Sequence, residues 1–152
     1  MQIAEGSLGR IFAVRLEEGD AMPGAVERVA RERNIHSALV FLVGGARDGA
    51  LVMGPEHTAD RPPIPMIQAF SGAHEIVGWG TLFEGADGPS LHMHAAVGRG
   101  DTVLAGCIRP GFKTFLVGEI VILELLGLGA RRVLDPETGF HLLSLPPGSP
   151  SL

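Results

Sequence analysis

The stretch PSLHMHAAVGRGDTVLAGC, residues 89–107, has the pattern of a strand, a tight turn and a second strand. Residues two apart in an extended strand project from the same face, so His92 and His94 share one side. The segment Gly98–Asp101 suits a turn, because its two glycines adopt positive φ without steric cost. The stretch therefore predicts an antiparallel hairpin around which the other elements are arranged.

The turn also predicts a register between the two strands. Pairing of Val97 with Thr102 places Cys107 opposite His92, on the face that also holds His94. Facing Cβ atoms lie about 4.5–5.5 Å apart, so two imidazoles and a thiol would converge, which is a donor set that zinc accepts. Three protein ligands leave a fourth position for water or a substrate. The alternative is that the histidines pack at a subunit interface while Cys107 fills the core.

The rest of the chain predicts an α+β fold, a single compact domain with a mostly antiparallel sheet and one main helix. Apolar residues at helical spacing place this helix at about residues 23–34, where Asn34 ends it. The apolar run of residues 37–43 predicts a strand buried on both faces. Further strands are predicted at residues 10–16, 50–53, 66–70, 73–83, 112–126, 131–134 and 140–145. We assign residues 1–145 to the domain and the Pro/Ser-rich residues 146–152 to a flexible tail.

Composition narrows the classes of function. The net charge is −5 and Lys113 is the single lysine, which gives weak support to DNA binding, since that depends on clustered cations. No apolar run reaches the roughly 18 residues of a membrane span, and no signal peptide is expected. The single cysteine, Cys107, permits no internal disulfide and fits a reducing cytoplasm. Hydrophobic residues make up 45% of the chain, an excess that favours a subunit interface.

Glu75 is the candidate catalytic residue. Pairing of Glu84 with Pro89 in the preceding hairpin places Trp79 opposite His94 and Glu75 on the same face. There a carboxylate serves either as a hydrogen-bond acceptor for a ligating histidine or as a general base. The alternative is a salt bridge from Glu75 to an arginine of a neighbouring subunit.

The order of these elements resembles the PPC domain, which is named for plants and prokaryotes. The likeness covers about residues 9–126 and rests on several short motifs taken together. These are Arg15–Asp20, Asn34–Ala38, Val43–Ala46, Glu75–Val77, Leu91–His94, Ala105–Cys107 and Gly118–Ile122. The resemblance implies a compact α/β domain that forms homotrimers.

The resemblance also has implications for DNA binding and for metal binding. In plants the domain follows an AT-hook, which binds the minor groove of A·T-rich DNA, and stand-alone prokaryotic members are often labelled DNA-binding proteins. This chain lacks the Arg-Gly-Arg-Pro core of an AT-hook. Similar members often carry a third histidine where this chain has Cys107, a change that keeps a metal ligand but makes it softer.

Three classes of function remain open at this point. The first is a homotrimeric regulatory module, associated with DNA by the family's label, that carries a His/His/Cys metal site. The second is a small zinc-dependent hydrolase or lyase that uses metal-bound water. The third is a structural trimer that binds a small, unidentified ligand between subunits. No clear nucleophile–base pair identifies the chain as an enzyme, so that question stays open.

Overall fold

The computed structural model describes residues 1–146, and the predicted tail residues 147–152 lie outside this part of the chain. The structure confirms a mostly antiparallel α+β fold with a single helix among the described residues. The elements are β1 (Ser7–Glu17), β2 (Ala21–Met22), α1 (Gly24–Arg33), β3 (Ser37–Arg47), β4 (Gly49–Pro55), β5 (Pro65–Phe70), β6 (His74–Gly85), β7 (Gly88–Arg99), β8 (Thr102–Ile108), β9 (Phe112–Leu126), β10 (Arg131–Leu134) and β11 (His141–Ser144).

The long strands form one sheet in the order β1-β9-β3-β6-β7-β8-β4-β5, with every neighbouring pair antiparallel. Strand β2 pairs with one end of β9. The predicted last hairpin is confirmed as β10 and β11, and it joins the end of β6 where Arg131 pairs with Glu84. The C-terminal hairpin thus extends the sheet next to β6.

Helix α1 covers the inner face of the sheet. Its apolar side buries Ala25, Val26 and Ala30, and the helix contacts β7 and β2. Asn34 ends the helix in the left-handed conformation with φ 58°, as the sequence predicts. No helix within residues 1–146 has both the length and the apolar character needed to cross a membrane.

The two faces of the sheet differ in burial because successive side chains of a strand point to opposite sides. Along β7, Leu91, Met93, Ala95 and Val97 are buried against the core, whereas His92 and its neighbours on the outer face are more exposed. The inner face therefore carries the hydrophobic core. Among the described residues, the buried core cluster extends from Leu16 to Ile122 along the chain.

The prediction that residues 37–43 are buried on both faces is wrong for the single chain. Phe41 is 42% exposed and Val43 is 49% exposed, because no layer of the described chain covers the outer face of β3. Both residues have apolar neighbours on adjacent strands, which extend the exposed surface. We call this surface the apolar outer face, and it consists of Phe41, Val43, Val77, Trp79 and Val121.

One ion pair, between the half-exposed Arg10 and the buried Glu124, joins β1, β9 and the end of α1. Nε and Nη2 of Arg10 each donate a hydrogen bond of 2.7 Å to the Glu124 carboxylate, and Nη2 also donates to the Arg33 carbonyl at 3.0 Å. The backbone N–H of Arg10 donates to Glu124 at 3.0 Å. These hydrogen bonds hold the pKa of Glu124 at about 2, well below its usual value of 4.5.

Replacement of Glu124 tests this pair. Because the folded-state pKa is depressed, the carboxylate stabilises the fold fully above pH 4.5 and loses this effect as the pH falls towards 2. We expect Glu124→Gln to lose about 1 kcal/mol at pH 7, a fall in Tm of about 2–4 °C. The difference from the parent should shrink between pH 4.5 and pH 3 in thermal melts followed by circular dichroism. Glu32→Gln, at an exposed helix position, is the control, and a pH-independent difference would contradict the assignment.

Candidate metal centre

Strands β6, β7 and β8 bring the candidate ligands together on the outer face. Trp79 faces His94 across β6 and β7, as predicted. On the other side His94 faces Cys107. The prediction that Cys107 lies opposite His92 is therefore wrong, by two residues. The three residues nevertheless form one cluster, since all of them project from the same face.

The difference in register comes from the turn between β7 and β8. Arg99 pairs with Thr102, so the turn consists only of Gly100, with φ 57°, and Asp101. Gly98 stays in the strand instead of entering the loop. Two-residue turns with a glycine at positive φ match the twist of the flanking strands and are the commonest hairpin connections. A shift of two residues preserves the face of every side chain, which is why the cluster survives the error.

The three side chains form a compact set of donor atoms. Nε2 of His92 lies 3.2 Å from Nε2 of His94, and one donor atom from each of these residues and from Cys107 lies within 4.8 Å of the others. A tetrahedral zinc ion with nitrogen ligands at about 2.0–2.1 Å and sulfur at about 2.3 Å separates its ligand atoms by about 3.3–3.6 Å. The donors therefore fit such an ion after side-chain movements of about 1 Å.

The surroundings of the cluster shift the pKa values of His92 and Cys107. Burial lowers the pKa of His92, and the nearby charges of Arg132, His94 and Arg109 lower it further. Burial raises the pKa of the Cys107 thiol, against the smaller opposing effect of the two arginines. At neutral pH the His92 ring is thus held in its neutral, ligating form, whereas a metal ion has to displace a proton from Cys107.

Two arginines that the sequence analysis did not single out flank the cluster. Nη1 of Arg109 lies 3.6 Å from the Cys107 sulfur. Arg132, which is 9% exposed, donates a hydrogen bond of 2.7 Å from Nη2 to the Thr81 hydroxyl. Its guanidinium also lies over the Phe83 ring, 5.5 Å from the ring centroid. The cluster therefore has a positively charged border.

The cluster lies in a cleft of about 1010 Å³. Strand β4 contributes Met53 to its wall, β6 contributes Trp79, and the C-terminal hairpin contributes Phe140 and Leu142. Aromatic and aliphatic side chains thus form the walls of the cleft and surround the few polar atoms of the metal cluster at its floor. Concave sites with apolar walls and a few convergent polar groups are typical of small-molecule binding sites.

Glu75 does not join the cluster. It pairs with Gly98, four residues along β7 from His94, which corresponds to a separation of about 13 Å along the strand. It lines a different, smaller depression with His74 and Arg99. The structure thus brings the predicted metal ligands together and places the candidate catalytic residue elsewhere.

The other polar residues of the cleft differ in whether the sequence could have predicted their position. Arg109 follows Cys107 by two residues, so the strand period alone could have placed it on the same side. Arg132 and His141 come from the C-terminal hairpin, which pairs with β6 through a single register position. No local pattern predicts that contact, and His141 also lines the cleft.

Comparison with known proteins identifies the family. The sequence profile of the Plants and Prokaryotes Conserved (PCC) domain matches residues 3–126. The chain belongs to this family. The resemblance to the PPC domain is thereby confirmed. Residues 127–146, including the C-terminal hairpin with Arg132, lie beyond the matched span.

Solved structures show the same fold. A metal-containing protein from Archaeoglobus fulgidus superimposes with a TM-score of 0.81 at 22% identity, covering 93% of this chain and 98% of that one. A PPC protein from Pyrococcus horikoshii gives 0.78 at 20% identity, covering 95% and 100%. A candidate DNA-binding protein from Bacteroides thetaiotaomicron gives 0.76 at 20% identity, covering 91% and 96%.

The sequence also matches part of a longer curated protein. The bifunctional protein GlmU of a Synechococcus strain is 30% identical over 142 residues, which is 93% of this chain and 21% of that protein. The chain thus spans about a fifth of the length of the curated relatives that it matches.

Proposed function

We propose that the protein is a homotrimer that holds a zinc ion on His92, His94 and Cys107 and binds a small molecule in the cleft beside it. The observation that carries this proposal is the convergence of three donor atoms within 4.8 Å at the floor of an apolar-walled cleft. A reducing cytoplasm suits the site, because the single cysteine stays a free thiol there.

The donor chemistry supports zinc over other ions. Two imidazoles and one thiolate match the N/S preference of zinc, whereas magnesium and calcium prefer oxygen ligands. The structural neighbour from Archaeoglobus fulgidus is described as a metal-containing protein, which agrees with a metal-binding role. Three protein ligands would leave one position of a tetrahedral zinc ion for a molecule bound in the cleft.

The apolar outer face supports self-association. Val77 and Trp79 are 59% and 63% exposed in the single chain, and Phe41 and Val43 lie beside them on β3. Soluble proteins seldom leave such a contiguous apolar surface uncovered. Val77 and Trp79 also line the cleft, so a copy seated on this face would place the ligand site at a subunit boundary.

A binding role has more support than a hydrolase or lyase. No carboxylate of the described residues lines the cleft, and Glu75 lies apart from it. General acid–base chemistry needs a titratable group within hydrogen-bond reach of the reacting atoms, and outside the proposed metal ligands the described lining offers only His141 for that role. The open coordination position keeps a zinc-dependent enzyme as the alternative.

DNA binding is a second candidate, supported by the neighbour from Bacteroides thetaiotaomicron that is described as a candidate DNA-binding protein. The charge of this chain opposes it, because 12 Lys and Arg residues are outnumbered by 17 Asp and Glu. Affinity for duplex DNA rests on several cations that contact phosphates together.

The zinc site is tested by metal content. The parent, purified after zinc loading and dialysis, should hold one zinc per chain by atomic emission spectroscopy. His94→Ala and Cys107→Ala should each bind more than about 100-fold more weakly, since loss of a direct ligand should cost at least as much as loss of its outer hydrogen-bond partner. His57→Ala removes an exposed loop histidine outside the cleft and should bind like the parent. A parent without zinc under these conditions contradicts the proposal.

The trimer is tested by light scattering at micromolar concentration. The parent should have a mass of about 48 kDa, three times the 16.0 kDa of one chain. Phe41→Glu should give the monomer mass, because a charge cannot be buried in an apolar interface without large cost. Val133→Glu is the control, since Val133 is 50% exposed on β10, outside the apolar outer face. A monomeric parent would refute the trimer.

The DNA candidate is tested by fluorescence anisotropy with a labelled A·T-rich duplex. We expect no complex with a Kd below about 1 µM at physiological salt, because the chain has few clustered cations. A salt-sensitive complex of higher affinity would instead establish DNA binding and indicate a basic patch assembled by several subunits.

A further inference from the structure

Two arginines beside the metal cluster lack an acidic partner. Arg109 and Arg132 take part in no ion pair with a carboxylate within residues 1–146, although other arginines of the chain do. Arg132 is 9% exposed, and its Nε atom is buried without a hydrogen-bond partner among those residues. Its contacts with the Thr81 oxygens and the Phe83 ring fix the side chain without neutralising it.

An arginine that is buried without an acidic partner costs free energy unless a bound anion pairs with it. A buried guanidinium loses its hydration, and charged side chains are rarely buried without a compensating partner. Arg109 and Arg132 both line the cleft that holds the cluster, and Nη1 of Arg109 lies 3.6 Å from the Cys107 sulfur. A zinc ion bound by one thiolate would add a further net positive charge at the same place.

The C-terminal hairpin supplies half of this charge. Arg132 lies on β10, beyond the residues that the family profile matches, and Phe140 of the same hairpin lines the cleft. Arg109 comes from the end of β8, on the other border of the cluster. Two separate segments therefore deliver guanidinium groups to one site, whereas no described carboxylate lines it.

We propose that the cleft binds a small molecule that carries a carboxylate or phosphate group on an apolar body. The oxyanion lies between Arg109 and Arg132, against the open side of the metal cluster. The apolar body contacts Trp79 and Phe140. This inference rests on the ligand-binding role proposed for the same cleft and names the chemical class of the ligand.

The chemistry of the walls distinguishes this ligand from a free inorganic ion. Arginine presents a planar fork of N–H donors that matches the two oxygens of a carboxylate or phosphate. Beyond the arginines the walls are mainly apolar, with Met53 and Leu142 facing the space next to the charged border. A molecule that is anionic at one end and apolar at the other satisfies both parts of the cleft.

The fluorescence of Trp79 provides a direct signal for ligand binding in the cleft. Trp79 is the only tryptophan of the chain and it lines the cleft. We would titrate the zinc-loaded protein and the EDTA-treated protein with benzoate, phenyl phosphate and benzyl alcohol and follow the tryptophan emission. Benzoate or phenyl phosphate should give a saturable change, and the tighter of the two identifies the head group. Neutral benzyl alcohol should bind at least tenfold more weakly.

Matched variants assign the effect to the two arginines. Arg132→Gln keeps a hydrogen-bond donor for Thr81 without the charge, and Arg109→Gln does the same near Cys107. Each should weaken binding of the anionic probe at least tenfold, with Arg109→Gln serving as the test should Arg132→Gln fail to fold. Arg131→Gln, at the exposed neighbouring position on β10, is the control and should bind like the parent.

The outcomes separate this inference from the zinc proposal. No saturable response to either anionic probe, equal binding of benzyl alcohol, or unchanged affinity in Arg109→Gln and Arg132→Gln would overturn the anion site. Metal content is measured on the same samples. Zinc without anion binding removes this inference alone, whereas anion binding by a protein that takes up no zinc on loading supports it and removes the metal centre.

Discussion

The antiparallel pairing of β6, β7 and β8 is the constraint on which both the core and the candidate site depend. Each strand turns alternate side chains to opposite faces, so the order that buries Met93 inside also turns His92 and His94 outwards. Because the strands pair in register, the row across the sheet continues from Trp79 through His94 to Cys107. Core packing therefore positions the metal cluster, without any long loop.

The sequence predicted the parts of the fold that depend on local patterns. Helical spacing and Asn34 located α1 within a residue or so of its observed ends, and the turn between Glu84 and Pro89 gave the correct register of β6 against β7. The turn between β7 and β8 was predicted to begin two residues too early, because Gly98 and Gly100 both suit a turn and the sequence alone does not show which of them enters the loop.

The errors concern features that a one-dimensional pattern does not contain. The apolar run that includes Phe41 and Val43 is typical of a strand buried on both faces, but burial of the second face depends on another layer, which residues 1–146 do not supply. Glu75 is a different case: it lies on the predicted face, but its separation of four residues from Trp79 already places it about 13 Å along the strand from His94, which the shared face does not reveal. Arg132 reaches the site only through tertiary packing of the C-terminal hairpin.

The C-terminal hairpin has a further consequence for how such a protein can change in evolution. The described hairpin contributes no residue to the buried core cluster, which ends at Ile122. It nevertheless supplies Arg132 and Phe140 to the cleft. The cleft thus combines residues of the sheet strands, such as His94 and Cys107, with residues from a stretch outside the core cluster. A substitution in the hairpin therefore changes the lining of the cleft without removing a residue of the core cluster.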